Sequence, residues 1–120
     1  MNQEEREIRA IVKTYVTGFN RGNRELLMKA FHPRFISSGF VDNELQWDNA
    51  EEFAAFCEEA APDPDGPIPD WRIETLVVSG ATAVAIVHDR WGSRQFRDSL
   101  TLLKDRGRWQ IVFKAFHGLA

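Results

Sequence analysis

Two ionisable side chains near the end of the chain fall on an apolar stripe, and any chemistry would be sought there first. The segment Gln95 to His117, QFRDSLTLLKDRGRWQIVFKAFH, reads as two alternating strands joined at Arg106-Gly107. Before the turn, Phe96, Asp98, Leu100 and Leu102 share one face, and Arg97, Ser99 and Thr101 the other. After the turn, strict alternation groups Trp109, Ile111, Phe113, Ala115 and His117, with Gln110, Val112, Lys114 and Phe116 opposite. A two-residue turn pairs residue 105 with 108 and sets Asp98 across from Ala115. His117 is then the diagonal neighbour of Asp98, about 7 to 8 Å away along the backbone. A carboxylate and an imidazole so placed could hold a polar ligand group or relay a proton. The competing reading is structural: Asp98 bonded to a backbone amide or an arginine, and His117 packed near the chain end.

Tyr15 is the third candidate. It lies on a helical stripe with Ile11, Val12 and Phe19, so its ring belongs to the interior and its hydroxyl needs a polar partner there. The acid/base set is therefore Asp98, His117 and Tyr15. A ligand pocket would be lined by Tyr15, Phe19, Phe31, Trp47, Phe53, Phe56, His88, Asp98 and Phe113, although each aromatic is equally well explained by packing. His88 shares a face with Val84 and Ile86 and could point either into the pocket or toward a partner. Trp47 and Trp71 bracket the third helix and the following loop. His32, before Pro33, is read as helping to close the second helix. Cys57, the only cysteine, sits beside Glu58 and Glu59, which would raise a thiol pKa, so it reads as buried packing. The histidines at 32, 88 and 117 lack the short spacing of a metal motif, and neither a phosphate loop nor a nucleophile elbow is present. No metal and no cofactor are expected.

The elements that would position these residues follow from periodicity. A first helix from about Gln3 to Asn20 buries Ile8, Ile11, Val12, Tyr15, Val16 and Phe19. Gly22 ends it, and Asn23 caps a second helix through Leu26, Leu27, Met28 and Phe31 that Pro33 terminates. Arg34 to Val41 reads as a short strand. Asp48 caps a third helix, NAEEFAAFCEEA, with Phe53, Phe56 and Cys57 inward. After the proline-rich loop PDPDGPIPD come strands near Trp71 to Val78, Ala81 to Trp91, Phe96 to Lys104 and Arg108 to His117.

Helices first and antiparallel strands afterwards make an α+β domain, and 120 residues hold one core and no more. Leu76, Val77 and Val78, and Val84 to Val87, are apolar on both faces of their strands, which predicts a homodimer that covers the sheet. The formal charge of -3, with 15 basic residues scattered among 18 acidic ones, argues against nucleic acid. No apolar run approaches the roughly 20 residues that span a bilayer. The start MNQEEREIRA lacks a signal-peptide layout, so the expected location is cytoplasmic.

The order of these elements and the stretch IVKTYVTGFNRGNRELLMKAFHPRF resemble the nuclear transport factor 2-like superfamily over nearly the whole chain. FHP, FRDSLTLLK and GRWQIVFKAFH resemble most its bacterial lumazine-binding or SnoaL-like branch. The resemblance implies a cone-shaped, cystatin-like fold, three helices on a curved, mostly antiparallel sheet, with a pocket between them. The superfamily hosts isomerases, dehydratases, cyclases and non-catalytic binders, so the fold alone does not fix an activity. The first forty residues also resemble ketosteroid isomerases. That likeness aligns the oxyanion tyrosine with Tyr15, the second acid with Ser99 or, one residue away, Asp98, and the general base with Gly39, which has no side chain. The expected function is small-molecule binding, of a flat ring or polyketide-like ligand, in an apolar pocket. Two alternatives stand beside it: a cofactor-independent acid/base cyclase, dehydratase or isomerase, and a non-catalytic association module with a filled cone.

Overall fold

Helix α1 (Gln3–Arg21) starts where the Asn2 side chain accepts the backbone N–H of Glu5 and ends at Gly22, whose left-handed φ of 61° few other residues would take. Its stripe of Ile8, Val12, Tyr15, Val16 and Phe19 is buried. The computed structural model, which describes residues 1–119, continues with α2 (Arg24–Ala30), capped by Asn23. This helix stops before Pro33 is reached. Phe31 is already extended, and β1 (Phe31–Val41) begins there, with Pro33 in the stretch where register slips between Phe31 and Ile36. Asp42 and Asn43, both at positive φ, turn the chain into β2 (Glu44–Asn49), a strand absent from the sequence reading.

The third helix, α3 (Ala50–Ala60), is capped by Asn49 and not by Asp48. Asn49 Oδ1 accepts from Glu52 N at 2.8 Å and Glu52 Oε1 accepts from Asn49 N at 2.9 Å, a reciprocal pair that Asp48, one residue earlier, cannot make. Strands β3 (Arg72–Ser79), β4 (Thr82–Trp91), β5 (Arg94–Asp105) and β6 (Arg108–Leu119) complete the chain. They form one six-stranded sheet in the order β2-β1-β6-β5-β4-β3, antiparallel except where β1 runs parallel to β6. The three helices pack on one face, and the core between is built from Ile8, Val12, Tyr15, Leu27, Phe31, Phe35, Leu100, Trp109 and Ile111, among others. Glu4 fastens the start of α1 to the last hairpin, accepting from Trp109 Nε1 at 2.7 Å and from Lys104 Nζ at 2.8 Å.

One irregularity decides which β6 side chains face the helices. The β5/β6 pairing runs 105 with 108 and 102 with 111 as expected, but then 101 with 113, so Val112 is an extra residue, a β-bulge. Beyond it every side chain changes face. Lys114 and Phe116 turn inward and are buried, while Phe113, Ala115 and His117 turn outward. Asp98 opposes Phe116 instead of Ala115, and His117 opposes Arg97. The expected approach of Asp98 to His117 is therefore overturned, because the two residues lie on opposite faces.

The outer face carries apolar side chains with no cover from this chain: Val77 is 58% exposed, Val84 42% and Trp47 63%. Among the described residues no helix is long and apolar enough to cross a membrane.

Candidate functional site

The pairing registers assemble a polar diagonal on the helix-covered face. Lys114 stands opposite Ser37 of β1 on one side and Leu100 of β5 on the other. Asp98, two residues before Leu100, is the diagonal neighbour of Lys114. Asp98 in turn opposes Val87, so Asp89 is its diagonal neighbour on β4. Ser37, Lys114, Asp98 and Asp89 thus cross four adjacent strands, all of them buried. From above, α1 lowers Tyr15, fully buried, whose hydroxyl donates to Asp98 Oδ2 at 3.4 Å.

Buried polar atoms are normally paired, and this cluster is short of partners. Ser37 Oγ, Asp98 Oδ1 and both carboxyl oxygens of Asp89 make no hydrogen bond to a fixed donor. Burial first, and the adjacent Asp98 second, push Asp89 well above the usual carboxylate range, against the opposing charge of Lys114. Asp89 therefore keeps its proton to higher pH than an ordinary aspartate does. Burial, reinforced by Asp98 and Asp89, likewise lifts Tyr15 well above an ordinary phenol and keeps it a donor.

Lys114 occupies an aromatic box. Its Nζ lies 4.4 Å from the ring centre of Phe53, 4.7 Å from Phe19, 4.8 Å from Phe116 and 5.1 Å from Tyr15, a cation–π arrangement on four sides. It makes no ion pair with a carboxylate among the described residues. The amine forms part of the wall of a cavity of about 80 Å³, bounded by Phe19, Phe53, Phe56, Trp91, Phe96 and Phe116 and by the polar Gln46, Asp48 and Arg94. That volume takes several waters or the head of a small ligand. Phe56, half exposed, and Trp91, 5.2 Å from it between ring centres, belong to the part of this wall nearest solvent. Asp48, freed from capping α3, lines the cavity instead, and burial followed by the charge of Glu52 raises its carboxyl. Phe96 also borders a second cavity of about 270 Å³ that reaches Asp89, together with Trp71, Arg72, His88 and Arg90.

Of the residues singled out from sequence, Tyr15 and Asp98 are brought together, and Phe19, Phe53 and Phe56 line the cavity. Phe31 is core, stacked on Phe35 at 3.7 Å between ring centres, and lies outside the lining. Trp47 is on the outer face by alternation with Gln46 and Asp48, opposite Ser38, which in turn pairs with the outward Ala115. Phe113 and His117 are outward because of the Val112 bulge. His88 is outward by alternation with Asp89, and its Nε2 meets Glu74 at 2.6 Å. Arg97 also bonds Glu74, and these two partners, Arg97 first, hold that carboxyl down at about 2. Cys57 is buried, and burial pushes its thiol up to about 12. Gly39, aligned with the isomerase base, has no room for one, since a Cβ there would stand 2.1 Å from Phe116 O.

Lys114 and Asp89 were missed. Asp89 was legible in the alternation Ala83, Ala85, Val87, Asp89, all buried. Lys114 was not, because strict alternation put it outside. No group of three or more His, Cys, Asp or Glu side chains that could hold a metal is found among the described residues.

Comparison with known proteins agrees with this architecture. The family model described as "Putative lumazine-binding" matches residues 3–117. A crystal structure of an NTF-2 like protein of unknown function from Silicibacter pomeroyi superposes with a TM-score of 0.90 at 33% identity, covering 99% of this chain and 100% of that one. A ketosteroid isomerase-like protein from Erwinia carotovora shares the fold, with a TM-score of 0.75 at 17% identity over 100% of this chain and 99% of that one. Aldolase FrzH of Cladobotryum sp is 25% identical over 116 residues, 92% of this chain and 90% of that protein.

Proposed function

The chain belongs to the lumazine-binding family of the nuclear transport factor 2-like superfamily, and from that membership we propose that it binds a small, flat ligand whose electron-rich oxygen rests on Lys114. The observation that carries this reading is the amine of Lys114 in the wall of an aromatic cavity, buried and without a carboxylate in contact. Rings of Phe19, Phe53 and Trp91 supply stacking surface for a planar ligand, and the amine supplies a charged donor beside them. A filled cone would favour a pure association module, so the open cavity supports a ligand instead. The test is a thermal-shift screen of flat aromatic and polyketide-like carbonyl compounds, followed by calorimetry on the hits. Binding should weaken by at least about tenfold in Lys114→Met, the loss of one charge-assisted hydrogen bond. Equal affinity in the variant would sink the reading.

A second reading, cofactor-independent acid/base catalysis, is favoured by the Tyr15, Asp98 and Asp89 cluster behind the amine. Asp98 offers an unpaired oxygen as base, while Tyr15 and, where it keeps its proton, Asp89 are donors. Removing a proton beside a carbonyl is the reaction this set suits, and the relative named as an aldolase supports it. A bound ketone should exchange its α-hydrogens for deuterium in heavy water, and Asp98→Asn should abolish the exchange. Exchange at the same rate in the variant would leave binding alone.

A further inference from the structure

We propose that Lys114 is a carbonyl-capturing amine, which forms a covalent iminium with an aldehyde or ketone held in the aromatic cavity. The proposal rests on the reading that this cavity takes a small ligand, and extends it from a contact to a bond. The geometry supplies what imine formation needs. A primary amine borders a largely aromatic cavity that can hold a carbonyl compound beside it. No carboxylate salt bridge ties the nitrogen up, and the surrounding rings of Phe53, Phe19 and Phe116 stabilise a cation at that point whether it is ammonium or iminium. Asp98, the diagonal neighbour of Lys114 on the strand register, leaves the amine unpaired, its Oδ2 being held by Tyr15.

The step balances without a cofactor. The ammonium passes one proton to solvent water, and the freed amine adds to the carbonyl carbon, forming the C–N bond as the C=O π pair moves to oxygen. That oxygen takes a proton back from water to give a carbinolamine hydroxyl and a protonated nitrogen. A second proton moves from nitrogen to the hydroxyl, the C–O bond breaks, and water departs. The nitrogen lone pair closes C=N, and the single positive charge remains on the iminium.

The test is reductive trapping on the intact protein. Benzaldehyde and, separately, propanal are incubated with it near neutral pH in the presence of sodium cyanoborohydride, which delivers hydride to the iminium carbon and fixes a secondary amine. Peptide mapping then compares Lys114 with Lys13, Lys29 and Lys104 in the same molecule, so no variant is required for the comparison. Labelling of Lys114 should be at least about tenfold faster than of the other three, because binding concentrates the aldehyde beside it, and should saturate with aldehyde concentration. Lys114 labelled no faster than the surface lysines, or without saturation, would overturn the proposal. Benzyl alcohol, which cannot form an imine, separates the two readings by chemical-shift perturbation at the cavity. Alcohol binding without aldehyde trapping removes only the covalent step, whereas neither binding nor trapping removes the ligand reading with it. Lys114→Arg, whose guanidinium does not form an imine, should lose the trapped adduct.

Discussion

At the scale of single residues, the two carboxyls of the buried diagonal have different consequences. Asp89 is raised by burial and by Asp98, so the native state holds its proton over a range of pH in which the unfolded chain has released it. Stability therefore falls as pH rises between the ordinary aspartate value of about 3.9 and the raised native one, by about 1.4 kcal/mol per pH unit for this one group. Asp89→Asn removes that slope. Urea unfolding as pH is raised above the ordinary aspartate value should show the variant gaining stability relative to the parent, and parallel curves would contradict the raised native pKa of Asp89. Tyr15 bears on the other carboxyl. Tyr15→Phe would leave Asp98 Oδ2 as unpartnered as Oδ1 already is, at a cost of about 1 to 3 kcal/mol, with the 3.4 Å length pointing to the lower end. Denaturant unfolding measures it, and no loss at all would mean that the bond holds nothing.

At the scale of elements, what could be read in the sequence depended on whether one face was buried. The α1 stripe was plain because its inward side chains recur at helical spacing and nothing interrupts them. Strand β2 was missed because it is an edge with almost every residue exposed: Leu45 and Trp47 do alternate with Glu44, Gln46 and Asp48, but two apolar residues are too short a signal, and only the Asp42-Asn43 turn adds a hint of a hairpin. The Val112 bulge was also hidden. WQIVFKAFH alternates acceptably in either phase, and which residue is extra is settled by what β1 and the helices must cover, burying Phe116 and leaving Phe113 outside. Tyr15 and Asp98 came from continuous periodicity, and Asp89 could have been found the same way; Lys114 alone needed the register. Close β1/β6 contact gives this element-level account a test. Gly39→Ala would put a Cβ 2.1 Å from Phe116 O and 2.6 Å from its ring, so the strands must part. A loss of about 1 to 3 kcal/mol is expected, and a variant as stable as the parent in urea would mean the strands are not so tightly joined.

At the scale of the whole molecule, the face opposite the helices remains to be explained. Phe40, Leu45, Trp47, Val77, Val84, Leu103 and Phe113 are exposed, and the registers put Val77 opposite Val84 and Phe113 two strands on, across Thr101, all on one surface. A single-layer sheet with both faces apolar needs a second cover, and a two-fold pair of identical sheets supplies it while repeating every contact twice. Each of these side chains contributes up to about 1.5 to 3 kcal/mol if fully buried. The charged groups on the same face do not forbid it, since Glu74 is already paired with both Arg97 and His88 within one chain and would enter the interface neutralised. We therefore expect a homodimer through the sheet, with sedimentation equilibrium at micromolar concentration giving twice the chain mass. Val84→Glu would set an unpaired carboxylate, and its symmetry mate, into that contact and should yield a folded monomer, because the helix-covered core does not include this side chain. A parent protein that sediments as a monomer would require some other cover for these residues, and the sheet would have to be reconsidered as a surface for a different partner.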